Sequence, residues 1–210
     1  MTDTIRDARV RDTIARLHTT RRHPDRSAMG ADKDPSPAAF ADIGFSIDPL
    51  QGDLIYLLCR AIGARRVVDF ATSVGMSALY FAAAVRDNGG GLVIGSELVA
   101  EKAATARRNL AEAGLAECVD IRVGDARDTL RDLGGPVDFI LVDGWPGTGA
   151  KSLARDVIEL TAPQLRVGGC VLNDNAEPDF LEFIRDPVNG FVSLSLPIKR
   201  GTEVALKIAG

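Results

Sequence analysis

The stretch Arg66-Val67-Val68-Asp69-Phe70-Ala71-Thr72-Ser73-Val74-Gly75-Met76-Ser77 decides the reading of the whole chain. A short β-branched run carries a carboxylate at Asp69 and crosses a loop of small residues. An apolar helical segment then opens after Gly75. In that order of parts an α/β sheet presents the carboxyl end of a strand to a nucleotide-like ligand. Ala71, Thr72, Ser73 and Gly75 permit close backbone approach and offer free N–H groups at a helix start. The spacing lacks the G-x-G-x-x-G of a dinucleotide fold, since Ala71 and Ser73 stand in it. The loop taken alone therefore also reads as a tight strand-to-helix turn without ligand.

Downstream of this stretch, strands and helices alternate, as in a parallel sheet with helical crossovers. The pattern predicts strands at 66–70, 91–96, 118–123, 137–142 and 167–173, with helices near 75–86, 99–113, 126–132, 150–162 and 177–185. Phe191 to Leu196 and Glu203 to Ile208 are joined by a link too short for a crossover helix, so they read as an antiparallel hairpin at one edge. The fold class expected is α/β: a doubly wound, mostly parallel, seven-stranded Rossmann-like sheet with that C-terminal hairpin.

Upstream, Asp48-Pro49 reads as an N-cap with proline at the first helical position, opening a helix that stops at Gly63. Thr4 to Leu17 has a moderate helical pattern. Residues 19–45 lose periodicity and collect Pro24, Gly30, Pro35, Pro37 and Gly44. Residues 1–45 are thus read as a helical extension with an irregular, lid-like segment, and 46–210 as the ligand-binding domain.

A chain of 210 residues, 46% hydrophobic and 26% charged, suffices for one well-buried domain. A net charge of −4 and a pI near 5.3 give no footprint for a polyanion, so nucleic acid is not expected as a partner. The basic run from Arg16 to Arg26 reads as a solvated helix end. Cys59, Cys118 and Cys170 are odd in number, far apart and set in apolar surroundings, which suits buried reduced thiols in a cytoplasmic protein. No apolar run reaches ~18 residues, and the first residues alternate charges where a signal peptide would be apolar. No membrane contact is expected.

Four further carboxylate positions fall at predicted strand ends. Glu97 lies 22 positions beyond Gly75, where an acidic side chain can accept hydrogen bonds from both hydroxyls of a ribose. Asp125, in Val123-Gly124-Asp125-Ala126, suits an adenine amino group or a helix N-cap. Asp143 ends the fourth strand, and Asp174-Asn175 the fifth. Two carboxylates and one amide from adjacent strands suit Mg²⁺, which takes octahedral oxygen ligands; the alternative is a pair of helix caps.

Taken together, these residues resemble the class I S-adenosylmethionine-dependent methyltransferases, specifically the cation-dependent O-methyltransferases that include catechol and caffeoyl-CoA O-methyltransferases. The resemblance covers about residues 45–208. It rests on Ala61-Ile62-Gly63-Ala64-Arg65-Arg66, Gly75-Met76-Ser77, Glu97, Val123-Gly124-Asp125-Ala126, Val142-Asp143-Gly144-Trp145, Asp174-Asn175 and Pro178-Asp179-Phe180-Leu181. It implies that Asp69, Ala71, Thr72, Ser73, Gly75 and Ser77 hold the methionine end of S-adenosylmethionine, Glu97 the ribose, and Asp125-Ala126 the adenine. Asp143, which would also border the cofactor, joins Asp174 and Asn175 as ligands of Mg²⁺ or another divalent cation. By the same resemblance the ion would chelate a catechol-like acceptor and lower the pKa of one hydroxyl. A homodimer is also expected.

The chain departs from the family pattern in two places. Ala71 stands where glycine is usual, and Pro146 follows Trp145 where a lysine base would soon come. Lys151 reaches that lysine's place if Pro146 to Ala150 is an insertion, and is the candidate base; it also reads as a solvent-facing helix-start lysine. Trp145 and Glu203 are the candidate acceptor contacts. The function expected is methyl transfer to a hydroxyl of a small, metal-chelated aromatic acceptor. The alternatives are a catalytically silent cofactor- or partner-binding relative and, third, a nicotinamide oxidoreductase.

Overall fold

The computed structural model describes residues 4–20, 44–144, 151–199 and 201–210. Its strands are β1 (Arg66–Phe70), β2 (Leu92–Glu97), β3 (Val119–Val123), β4 (Val137–Val142), β5 (Leu165–Asn173), β6 (Phe191–Leu196) and β7 (Thr202–Lys207). Its helices are α1 (Ala8–Thr19), α2 (Pro49–Ala61), α3 (Met76–Asp87), α4 (Ala100–Glu112), α5 (Ala126–Thr129), α6 (Leu153–Thr161) and α7 (Pro178–Arg185). The strands form one sheet in the order β3-β2-β1-β4-β5-β7-β6. Neighbours from β3 to β5 pair in parallel, while β7 runs antiparallel to both β5 and β6. The doubly wound sheet and its terminal hairpin are as the sequence predicts.

From β1 onward, three elements differ in extent by more than one residue, one of them α6, which begins at Leu153 behind its Ser152 cap and not near position 150. The helix after β3 is a single turn, because Leu130 leaves helical geometry and the chain turns through Gly134 and Gly135 at positive φ. β5 begins at Leu165, two residues earlier than periodicity suggests, with an irregular register opposite Val137 and Phe139.

Alternation along the central strands divides the core into two layers. Val67, Phe139, Leu141, Cys170 and Leu172 face the helices α1 to α4, while Val68, Phe70, Ile140, Val142 and Val171 face α5 to α7. Strands covered on both faces read as continuous apolar runs, which is why Phe139 to Val142 contains no polar residue. Phe81 of α3 meets Phe139 edge-to-face at 5.2 Å. Gly52 lets α2 approach α3 closely: a Cβ there would lie 2.4 Å from the Tyr80 ring.

Helix α1 starts at Asp7, whose carboxylate accepts from the N–H groups of Arg9 and Val10, and it buries Val10, Ile14 and Leu17. Arg16 then grips Glu112 and Asn109 of α4, and Asn109 donates to the Val74 carbonyl. The extension therefore braces the loop after β1. Residues 21–43, most of the expected lid-like segment, lie outside the described residues. Among the described residues no helix is long and apolar enough to cross a membrane. Cys59, Cys118 and Cys170 are free thiols, with Cys59 and Cys170 buried and Cys118 half-buried.

Candidate functional site

The register of the sheet sets four strand ends side by side. Phe70 of β1 is level with Ser96 of β2 and Val142 of β4, and Val142 is level with Asn173 of β5. Successive connections turn to opposite sides of β1, so a crevice opens where the strand order reverses, as doubly wound sheets require. A cavity of about 310 Å³ occupies it. It is lined by the loop after β1, by Glu97 and Asp125, and by Asp143, Asp174 and Asn175.

The loop is strained. Ala71 (φ 65°) and Ser73 (φ 51°) adopt left-handed conformations, as does Gly75 (φ 92°). For an L-residue this costs about 1–2 kcal/mol each. Ala71 is thus not a neutral stand-in for glycine: its methyl group is accommodated, but only in a backbone state that glycine would adopt freely. Glu97 holds the loop in place. Its Oε2 accepts from Ser73 N at 2.7 Å and its Oε1 from Val99 N at 2.8 Å. A carboxylate offers about four acceptor positions, so two remain for a ligand. The hydroxyls of Ser46 and Ser73, both buried at the cavity wall, have no hydrogen-bond partner among the described residues. These orphaned groups and the spare lone pairs of Glu97 fit a ligand that bears several hydroxyl, amine and carboxylate groups.

Asp69 lies beneath the loop, fully buried, and neither of its oxygens has a partner at hydrogen-bonding geometry among the described residues. Desolvation raises its pKa from 3.8 to about 7, and the hydroxyls of Ser77 and Thr72 counter this only in part. In the unfolded chain the group titrates near its ordinary value, so between about pH 4 and pH 7 the folded state binds more protons than the unfolded one. Stability from this group is therefore full below about pH 4 and is lost as the pH rises through about 7. Asp69→Asn is expected to flatten that slope and to raise stability at pH 8 by up to about 4 kcal/mol. Urea unfolding of both proteins at pH 5 and pH 8 checks it; equal pH dependence would refute it.

Asp125 takes the helix-cap reading, since its Oδ1 accepts from Arg127 N and its carboxylate pairs with the Arg127 guanidinium at 2.6 Å. That contact holds its pKa below the usual range. It lines the cavity nonetheless, beside Ala126.

Asp143 and Asp174 come together as their strands predict. Desolvation first, and the Asp174 charge second, push the Asp143 carboxyl well above the usual carboxylate range, and Lys199 partly opposes this. Asp174 is 3% exposed and already engaged at both oxygens: Gln51 Nε2 donates to Oδ1, and Lys199 Nζ lies 2.6 Å from Oδ2. Asn175 is exposed. Of the donors expected for Mg²⁺, the two carboxylates are adjacent, but the set does not fit the ion as it stands, because Asp174 is already paired with the Lys199 ammonium and Asn175 is exposed.

Two other expected residues lie away from this centre. Lys151 pairs with Glu159 and Asp156 at the start of α6 and is absent from the cavity wall. Glu159 raises its pKa, which keeps it protonated at neutral pH and so unavailable to take a proton. The five residues before it, which the insertion reading needed to fold back, lie outside the described residues, as does Trp145. Glu203 is buried within the hairpin, where it accepts from Ser193, Ser195 and Arg185. Burial raises its pKa, yet Arg185 and the two serines outweigh that and hold it low. It joins β6, β7 and α7 and is not among the residues that line the cavity.

Residues that the sequence reading did not single out complete the wall: Phe45, Ile47, Leu98, Lys102, Leu153 and Lys199. Gln51, behind the wall, belongs with them through Asp174. Gln51 had a visible local signal, as the third residue of a capping box with Asp48, but its contact across to β5 had none.

Residues 70–176 match the methyltransferase-domain family, slightly more than half of the chain. The chain belongs to that family. This methyltransferase domain is 38% identical over 145 residues to the catechol O-methyltransferase of Mycobacterium tuberculosis, covering 64% of the chain and 63% of that protein. The chain thus spans less than two thirds of the length of the curated relative it matches. Among solved structures, cofactor-bound Rv0187 from MTB superposes with a TM-score of 0.68 at 26% identity, over 89% of this chain and 98% of that one. The O-methyltransferase of Bacillus cereus, solved with SAH, gives 0.69 at 21% identity over 96% and 91% of the two chains, a likeness of fold. The matched span of the methyltransferase domain holds the strained loop from Ala71, Glu97, Asp125, Asp143, Asp174 and Asn175. Gln51 and Lys199 fall outside it.

Proposed function

We propose that the chain is an S-adenosylmethionine-dependent O-methyltransferase whose acceptor is a small hydroxylated aromatic molecule. The observation that carries this reading is Glu97, clamped to the Ser73 and Val99 N–H groups yet left with lone pairs at the cavity, where ribose hydroxyls would meet it. Family membership and the names of the relatives support the reaction class.

In this reading the left-handed loop, with Ala71, Thr72, Ser73, Gly75 and Ser77, holds the methionine end of the cofactor, and Asp69 backs it from below. Glu97 takes the ribose, while Asp125 and Ala126 border the adenine. When bound, S-adenosylmethionine supplies an electrophilic methyl group on a sulfonium. The chain's own work is to hold an acceptor oxygen in line with that methyl group and to keep water out, which is where most of the rate gain in a displacement arises. Phe45, Leu153 and Asp143 border the remaining volume and are the proposed acceptor walls. A homodimer and a cytoplasmic setting, the latter supported by three free thiols, belong to the same proposal.

Calorimetric titration with S-adenosylmethionine and S-adenosylhomocysteine tests it. Binding of both is expected, with micromolar affinity corresponding to roughly −8 kcal/mol, followed by methylation of a phenolic hydroxyl in a panel of acceptors. Failure to bind either compound would remove the reading.

A further inference from the structure

Lys199 stands in the loop that closes the β6–β7 hairpin, with its backbone left-handed at φ 54°. A non-glycine residue held in that state is a strained position that the surrounding structure must fix, and such positions concentrate at functional sites. The fixing contacts are visible. Thr202 Oγ donates to the Ile198 carbonyl at 3.2 Å and accepts from Gln51 Nε2 at 2.8 Å. Gln51, itself fully buried, also donates to Asp174. One buried amide thus ties α2, the hairpin loop and the end of β5 together around the point where the Lys199 ammonium meets Asp174 at 2.6 Å.

Two neighbouring carboxylates, Asp174 buried and Asp143 half-buried, repel one another unless a cation or a shared proton offsets the charge. Here the chain supplies a cation of its own, from a segment outside the span that matches the family. An ammonium carries three N–H donors and no acceptor. Among the described residues one goes to Asp174 Oδ2, and Lys199 lines the cavity, where the other two can meet a ligand.

We infer that Lys199 is the resident cation of the Asp143–Asp174 pair, so that methyl transfer by this chain needs no divalent metal and the acceptor oxygen is held by the Lys199 ammonium. The inference rests on the O-methyltransferase reading above. In the step it describes, the acceptor oxygen attacks the methyl carbon and the O–C bond forms as the C–S bond breaks. S-adenosylhomocysteine departs, and the hydroxyl proton passes to solvent. Lys199 stabilises the negative charge on the attacking oxygen without itself gaining or losing a proton. A single ammonium needs one oxygen, whereas a chelated ion needs two. Acceptors with one phenolic hydroxyl are therefore expected to react at rates comparable with vicinal diols.

The test has a binding arm and a turnover arm on the full chain. Mn²⁺ titrated into wild-type protein and followed by electron paramagnetic resonance is expected to show no specific site at millimolar metal. Lys199→Met frees the carboxylates and is expected to bind Mn²⁺ at least tenfold more tightly than wild type. In the turnover arm, wild-type activity survives exhaustive chelation, and Lys199→Met lowers kcat by on the order of 100-fold, the usual effect of removing one oriented charge at a developing anion. Its affinity for S-adenosylmethionine, measured by calorimetry, stays within about twofold of wild type, since no cofactor contact is removed. Lys199→Arg, which keeps the charge, restores part of the rate.

Tight Mn²⁺ binding by the wild type, or loss of its activity in chelator while S-adenosylmethionine still binds, would overturn the inference and leave the O-methyltransferase reading standing. If Lys199→Met does not fold, the wild-type metal titration and chelation assay decide the matter without it. Absence of cofactor binding would instead defeat the O-methyltransferase reading, and the Mn²⁺ titration would still report who holds the carboxylates.

Discussion

Phe139→Ala is expected to cost about 3–5 kcal/mol of folding stability, the range for emptying a buried aromatic site. Phe139 sits in the middle of β4, between Val67 of β1 and Cys170 of β5, and is completely buried. Truncation removes its apolar burial and leaves a cavity that the rigid central strands cannot close. It also removes the edge-to-face contact with Phe81, worth about 1 kcal/mol beyond area. For a domain whose total stability is about 5–15 kcal/mol, that is a large share. Urea denaturation is the measurement, with Phe139→Leu, which keeps more of the apolar volume, as the control expected to lose less than the alanine variant. A loss below about 1 kcal/mol for the alanine variant would mean that β4 is not the centre of the core.

Glu97→Ala is expected to weaken S-adenosylmethionine binding by about 100-fold, or roughly 3 kcal/mol. Two losses combine. The ribose hydroxyls lose their charged acceptor, and the N–H groups of Ser73 and Val99 lose theirs. A buried donor left unpaired costs about 1–3 kcal/mol, so the free protein is destabilised as well. The strained Ser73 then has less reason to stay left-handed, and the loop that should receive the methionine end relaxes. Glu97→Gln keeps one acceptor oxygen and is expected to fall between the two, near tenfold. Calorimetry on the three proteins, with thermal melting to separate folding from binding, gives the ranking. Wild-type affinity in the alanine variant would remove Glu97 from the cofactor site and with it the main support for the proposed reaction.

These two residues differ in how plainly the sequence displays them. Phe139 belongs to a continuous apolar run, and such runs in an alternating β/α pattern mean a strand covered on both faces. Glu97 is placed by its distance from Gly75 and by its position at a strand end. What the sequence could not display is that Glu97 spends one lone pair on the loop, at Ser73 N, and another on Val99 N ahead of α4. The positive φ angles of Ala71 and Ser73 make that bracing necessary, and neither residue type announces a left-handed backbone.

Lys151 and Lys199 show the same limit from the other side. Counting along the chain favours Lys151, because it assumes that a nearby lysine returns to the strand end. In the fold Lys151 is held by Glu159, one helix face away, while Lys199 arrives from a hairpin 25 residues beyond Asp174. Sequence distance carries no information about which loop of an antiparallel return will overhang a parallel sheet. Glu203 is a parallel case: the family resemblance suggested an acceptor contact, and in the β6–β7 pair it is buried against Arg185.

The sequence by itself determined the sheet, the order of its helices, the carboxyl-edge location of the site and the convergence of Asp143 with Asp174. These follow from periodicity and from the register that adjacent parallel strands must adopt, both of which are local or nearly so. Only the tertiary structure decided the charge balance at that edge. Whether two carboxylates face an ion, a proton or a lysine depends on contacts among α2, β5 and the last hairpin. Such contacts are fixed by burial and hydrogen-bond satisfaction across the whole fold, and no pattern along the chain encodes them.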